Sequence, residues 1–251
     1  VTEKQTAVFF EIHSDLPRET PGSVESTQMA FASVVGLPPY PEILDIGCGP
    51  GAQTMAIAAI SEGCIHAVDN HCPFIRMLEK RVKQTGMKGR ILPSVADMKD
   101  LPFEAGSFDL IWAEGSIYNI GVRPALELWR PLLRENGHIA FTELSWLRRD
   151  LPEELRAYWT GAYPAMTTIS GNVELLEAAG FEMVRRFTLP ERDWWEGYYN
   201  PLLAKMPALK EKYRDDPEAM EVLAGEEYEI DLFRRYCKYY GYIFYVAKRI
   251  G

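Results

Sequence analysis

The run Ile43-Leu44-Asp45-Ile46 followed by Gly47-Cys48-Gly49-Pro50-Gly51 constrains this chain more than any other stretch. The apolar residues suit a strand buried on both faces. The alternate glycines let the backbone turn tightly and come close to a ligand where a side chain would collide. The alanine-rich segment 52–60 has strong helix propensity, so the turn opens a helix whose first amides face the ligand. Strand, glycine turn and helix together predict a nucleotide-type cofactor site.

Two cofactor classes use that architecture. Gly47, Gly49 and Ala52 fit G-x-G-x-x-G/A, the pattern of nicotinamide and flavin sites. Against a diphosphate stand Asp45, a carboxylate suited to a cationic ligand, and Pro50-Gly51, which fill the gap a pyrophosphate loop leaves open. Set as D-x-G-x-G-x-G, the segment resembles motif I of the class I S-adenosylmethionine-dependent methyltransferases. The resemblance implies that the turn, with Asp45, Gly47, Cys48, Gly49, Gly51 and Gln53, accommodates the methionine part of that cofactor, whose product is S-adenosylhomocysteine.

Segment 64–69 is a second short strand pattern ending in Asp69, about 20 residues beyond the turn, where nucleotide folds place the carboxylate that grips ribose hydroxyls. Asp69 with Asn70 is the expected ribose site; simple turn chemistry is the bland alternative. A third run, 90–95, leads to Asp97 and Met98, and by resemblance the acid there contacts the adenine amino group. Leu101-Pro102-Phe103 and the run 106–115 look like the family's loop and fourth strand, which deliver residues beside the reactive methyl. These motifs are similar to those of the small-molecule methyltransferases related to ubiquinone and menaquinone biosynthesis.

The order of elements predicts an α/β fold, a doubly wound and mostly parallel sheet, with a helical insertion between the last two strands. Residues 1–40 are read as an N-terminal helical cap, 41–190 as the cofactor-binding core, 191–239 as an aromatic-rich lid and 240–251 as the final strand. Helices are expected at 23–35, 52–62, 73–85, 122–134 and 173–179, the last capped by Asn172, and further ones at 201–214 and 217–238. Strands are expected at 137–143, 181–187 and 242–247. The lid carries Trp194, Trp195, Tyr198 and Tyr199, candidate walls of a substrate pocket. His13 and Arg18 are candidates for a second wall, Arg18 as a partner for the cofactor carboxylate.

Ligands gather at the carboxyl ends of strands in open α/β sheets, so Glu114, Tyr118 and Glu143 are the catalytic candidates, Glu114 also as a cofactor contact. The 251 residues carry a formal charge of -9 and no basic patch, which argues against a nucleic-acid partner and for a small-molecule acceptor. Cys48, Cys64, Cys72 and Cys237 form no C-x-x-C pair and no zinc-like spacing with the histidines, so no metal site is expected. No apolar run is long enough to span a bilayer, and a cytoplasmic protein with reduced thiols is expected. Three functions stay open: methyl transfer to a small acceptor, an NAD(P)-dependent oxidoreductase, and a non-catalytic protein that binds an adenosyl cofactor.

Overall fold

In a computed structural model that describes residues 2–251, eight strands form one sheet. Val1, at the start of the expected cap, lies outside the described residues. The strands are β1 (Glu42–Ile46), β2 (Cys64–Asp69), β3 (Ile91–Val95), β4 (Phe108–Ala113), β5 (Leu133–Trp146), β6 (Thr167–Thr168), β7 (Phe181–Thr188) and β8 (Tyr240–Arg249). Their order is β3-β2-β1-β4-β5-β8-β7, with β6 beside the end of β5. Neighbours from β3 to β5 are parallel, and β8 alone runs antiparallel to both of its neighbours. The chain winds outward from β1 to β3, then returns to place β4 on the other side of β1. That reversal opens a crevice at the carboxyl ends of the two strands.

Period-two alternation sorts the strand residues onto two faces. Leu44, Ile46, Ile111 and Phe141 pack on one side with Leu126, Trp129 and Leu176 from α5 (Val122–Trp129) and α7 (Ile169–Ala178). Ile43, Ile65, Leu110 and Phe244 pack on the other with Ala30, Ile57 and Leu78 from α2 (Val24–Phe31), α3 (Ala52–Ala58) and α4 (Cys72–Thr85). A third cluster caps the carboxyl edge. It joins α1 (Glu3–His13), α6 (Glu153–Ala162), the four-residue α8 (Glu191–Trp194), α9 (Asn200–Lys212) and α10 (Pro217–Tyr236). The inserted helices α8 to α10 lie in sequence between β7 and β8, and α8 runs into α9 through a π-helical turn at Trp195–Tyr199.

Several boundaries differ from the sequence expectation. α2 and α3 stop at Phe31 and Ala58, four residues early in each case, and short turns carry the chain to Gly36 and Gly63. α5 ends at Trp129; Pro131 sits in a 3-10 turn, and β5 starts at Leu133 because Leu133 pairs with Phe108 across a bulge. Thr168, not Asn172, caps α7, its hydroxyl accepting from the Gly171 amide. Asn172 is buried in the helix and donates to Ser145 Oγ at 3.0 Å. Among the described residues no helix is long and apolar enough to cross a membrane.

Candidate cofactor-binding and active site

A cleft of about 400 Å³ opens at the carboxyl ends of β1, β2 and β4. Gly47, Gly49 and Gly51 all adopt positive φ, at 70°, 54° and 89°. At Gly47 a Cβ would lie 2.3 Å from Ser116 Cβ, and at Gly51 it would lie 2.3 Å from Leu78 Cδ1, so both are held to glycine by sterics as well as by backbone conformation. Gly47, Cys48, Gly49 and Gln53 line the cleft, whereas Asp45 and Gly51 lie behind it. Asp45 is fully buried on the α3 face. It accepts hydrogen bonds from Thr54 Oγ1 at 2.5 Å and Gln53 Nε2 at 3.3 Å, and Gln53 also donates to the Cys48 carbonyl at 3.2 Å. Burial pushes the Asp45 carboxyl up to about 7. The expected contact between Asp45 and a cationic ligand is therefore corrected: this acid braces the turn from beneath. Burial likewise pushes the Cys48 thiol up, leaving the backbone of that residue to face the cleft.

Asp69, at the end of β2, accepts from the Gly49 amide at 2.9 Å and the His71 amide at 2.8 Å. Those bonds tie the second strand to the glycine turn and hold the carboxylate at the cleft wall, with burial raising its pKa. Asn70, Asp97 and Met98 continue the same wall, and Asp97 takes the Lys99 amide at 2.9 Å. Opposite, α1 closes over the opening, its Phe10 stacked on His71 at 4.0 Å. Lys205 fixes the end of α1 by donating to the carbonyls of Glu11, Ile12 and Ser14 at 2.8, 2.7 and 2.6 Å.

Glu114 and Arg18 both line the cleft and are spent on each other. Arg18 Nη1 donates to Glu114 Oε2 at 2.8 Å, while Glu114 Oε1 accepts from Thr27 Oγ1 at 2.7 Å and Trp112 Nε1 at 2.9 Å. Both side chains are buried. Both oxygens of this carboxylate are engaged by three donors, one of them the buried Arg18 guanidinium, so Glu114 reads as the anchor of the amino-terminal segment. Arg18 does the same work from the other side, with Nη2 donating to Thr27 Oγ1 at 3.2 Å.

A second chamber, about 230 Å³, lies under the helical cap. It shares Phe9, Glu19, Thr20 and Tyr118 with the cleft, so the two cavities meet at one wall. Trp194 and Tyr198 line it. Trp195 and Tyr199 do not: Trp195 lies under the Arg234 guanidinium at 5.3 Å, and the Tyr199 hydroxyl donates to Glu229 at 3.2 Å. The π-helical turn separates these roles, since it rotates successive aromatics away from simple helical spacing. Glu143 is buried just beneath the chamber, facing Tyr163, and burial pushes its carboxyl up to about 8. Not itself in either lining, it stands behind Tyr163, which is. His13 lines the cleft, buried between Glu19 and Glu226, with Nδ1 at 3.9 Å from Glu19 and Nε2 at 3.6 Å from Glu226.

Residues 43–137 match the family model described as a methyltransferase domain. The matched segment runs from β1 through the start of β5, and so contains the glycine turn, Asp69, Asp97 and Glu114. The chain is 22% identical over 153 residues to (+)-O-methylkolavelool synthase of Herpetosiphon aurantiacus, covering 60% of this chain and 54% of that protein. The crystal structure of an S-adenosylmethionine-dependent methyltransferase from Geobacter sulfurreducens, in complex with S-adenosyl-L-homocysteine, superimposes with a TM-score of 0.82 at 19% identity, covering 97% of this chain and 98% of that one. The [4+2]-cyclase SpnF shares the fold at a TM-score of 0.73 and 20% identity, covering 91% of this chain and 81% of that one. The chain spans about half the length of the curated relatives it matches.

Outside the matched segment, sequence reasoning missed Glu19, Trp159, Tyr163, Glu226 and Glu229, all in the chamber wall. One signal was available: Glu226 and Glu229, three apart on a helix, share a face. Sequence spacing also hid a group of possible metal ligands, Glu42, Cys64 and His66. Glu42 pairs with Cys64 across β1 and β2, and His66 lies two residues on, hence on the same face. This partly exposed group sits at the amino ends of the strands, at the opposite edge from the cleft.

Proposed function

We propose that this protein transfers the methyl group of S-adenosylmethionine to a small-molecule acceptor. The observation that carries the reading is the pair of cavities meeting at Phe9, Glu19, Thr20 and Tyr118, one beside the glycine turn and Asp69, the other walled by the cap. The residues present fit that cofactor. The cleft volume falls in the range of about 300 to 1,000 Å³ usual for small-ligand sites, and its lining combines the backbone of the glycine turn with the carboxylates of Asp69 and Asp97.

When bound, the cofactor supplies a methyl carbon activated by a sulfonium. The chain's own task is to orient two ligands and keep water out. Asp69 would accept from ribose hydroxyls with a carboxylate whose two oxygens are each held by one amide, Asp97 and Met98 would hold the adenine, and the backbone from Gly47 to Gly49, its amides donated to Val68 and Asp69, would line the amino-acid end. Tyr118 stands at the shared wall, where it positions whatever enters the second chamber.

Thermal unfolding with S-adenosylhomocysteine, and separately with NAD and NADP, tests the reading. At about 100 times its dissociation constant a ligand adds about 2.7 kcal/mol to the native state. For a chain of this size that raises Tm by roughly 5 to 10 °C. A rise with the adenosyl compound alone is expected; a rise with NAD or NADP alone overturns the proposal in favour of an oxidoreductase.

A further inference from the structure

The second chamber has a definite chemistry. Its walls carry the rings of Phe9, Trp159, Trp194 and Tyr198 and the carboxylates of Glu19, Glu226 and Glu229; among the described residues, no lysine or arginine lines it. Aromatic faces present negative charge to a ligand, and carboxylates add to it. From these observations we infer that the acceptor is a small organic amine, held in the chamber as a cation between aromatic faces and carboxylates and methylated on nitrogen. The inference rests on the proposed methyl-donor reading and names the acceptor class of that same site.

The polar groups around the chamber are arranged for a cation that arrives from outside. Glu19 reaches it from the loop after α1 with its Oε1 buried and without a partner. His13, from α1, lies outside this lining, more than nine-tenths buried between Glu19 and Glu226, with Nε2 3.6 Å from Glu226 and beyond hydrogen-bond reach. Glu226 and Glu229 come from α10; Glu229 accepts from the hydroxyls of Tyr199 at 3.2 Å and Tyr158 at 3.4 Å, which fix its position without neutralising it. Lys205 on α9 spends its Nζ on three carbonyls at the end of α1 and lines neither cavity. Tyr118, Tyr163, Tyr198 and Tyr242 complete the titratable groups in the lining, all acids when they ionise. Burial pushes the carboxyls of Glu19 up to about 8 and Glu229 up to about 7, so each gains from a cation brought alongside.

The same groups meet the needs of the reaction. An ammonium has no lone pair, so one proton first leaves the nitrogen for a carboxylate. Glu19 is the group for that transfer, since it alone of the three carboxylates faces both cavities. The freed nitrogen pair then forms the bond to the methyl carbon as the carbon–sulfur bond breaks and its pair stays on sulfur. Positive charge passes from sulfur to nitrogen, and the proton held by Glu19 is released to water. The chamber's volume of about 230 Å³ lies below the range of about 300 to 1,000 Å³ typical of drug-sized ligands, in keeping with a small acceptor.

Isothermal titration of the whole protein, with and without saturating S-adenosylhomocysteine, tests the inference with choline as probe and its uncharged isostere 3,3-dimethylbutan-1-ol as the control. Choline is expected to bind at least tenfold more tightly than the alcohol, and Glu229→Gln is expected to weaken choline at least fivefold with the alcohol unchanged. Retained S-adenosylhomocysteine binding by that variant shows that it is folded. Equal affinities, tighter binding of the alcohol, or no binding of either overturns the amine assignment, and it does so alone when S-adenosylhomocysteine still binds. Failure of S-adenosylhomocysteine itself to bind overturns the donor reading, whichever probe the chamber prefers.

Discussion

Glu114→Gln separates an anchoring role from a chemical one. The variant keeps the shape of the side chain and removes its charge, leaving Arg18 buried with no anion; the two side chains are 2% and 8% exposed and 2.8 Å apart. Breaking a buried pair from one side costs about 3 to 5 kcal/mol. Each kcal/mol lowers Tm by about 2 to 4 °C in a chain of this size, so the expected fall is about 6 to 20 °C. The loss should be felt where the pair acts: Arg18, Thr27 and Trp112 all converge on this carboxylate, so the segment from Arg18 to α2 loosens first. Adding Arg18→Met removes the stranded charge and should recover most of the stability, because replacing both partners of a buried pair is often close to neutral. Thermal unfolding followed by circular dichroism measures all three proteins. A Glu114→Gln variant that melts within about 2 °C of the parent, yet has lost turnover, refutes the anchor and makes this residue the base.

Other substitutions test other parts of the site. Glu143 has a carboxyl pushed up to about 8 against an ordinary value of 4.5, so the folded protein binds this proton more tightly than the unfolded chain. Its stabilising effect is complete below pH 4.5 and is lost as pH rises to about 8. Tm should therefore fall more steeply across pH 5 to 8 in the parent than in Glu143→Gln, and parallel curves would sink the assignment. In Gly47→Ala the new Cβ, 2.3 Å from Ser116 Cβ at a positive φ, should cut S-adenosylhomocysteine affinity at least about tenfold in a protein that remains soluble; unchanged affinity would show that the turn can yield. Lys205→Met takes the lysine donor from the carbonyls of Ile12 and Ser14, and one of three donors from the carbonyl of Glu11. It should cost about 1 to 3 kcal/mol and speed amide exchange in that helix, and a neutral result would mean that α1 is held by packing alone.

The sheet and the glycine turn were legible because each rests on local signals. Apolar runs of strand length, stop glycines such as Gly86 and the D-x-G-x-G-x-G spacing all lie within a few residues of one another. Partnership was not legible where it joins distant parts of the chain. Glu114 stands at the end of the fourth strand, a good place for a base, but Arg18 and Thr27 lie 96 and 87 residues away in sequence and only the fold brings them onto it. Asp45 misleads for a different reason: the pleat turns it toward α3, where Thr54 and Gln53 wait, so an acid two positions before the first glycine serves the turn rather than the ligand. α6 passed unnoticed because its buried positions, Leu155 and Trp159, are too few to show a period. Its Trp159, with Tyr163 just beyond, nonetheless forms one side of the second chamber. The lid aromatics were visible as a cluster, but the π-helical turn decides which of them face inward.

The most direct test of the central claim is isothermal titration of S-adenosylhomocysteine into the parent protein and into Asp69→Ala. Asp69 joins the glycine turn to the second strand and offers the cleft its acceptor for ribose hydroxyls. Hydrogen bonds to a charged group are worth about 1.5 to 3 kcal/mol, so removing this carboxylate should weaken binding by roughly 10- to 150-fold. Saturable one-to-one binding to the parent with that loss in the variant is the predicted result. No binding to the parent, or equal binding to both, would contradict the account.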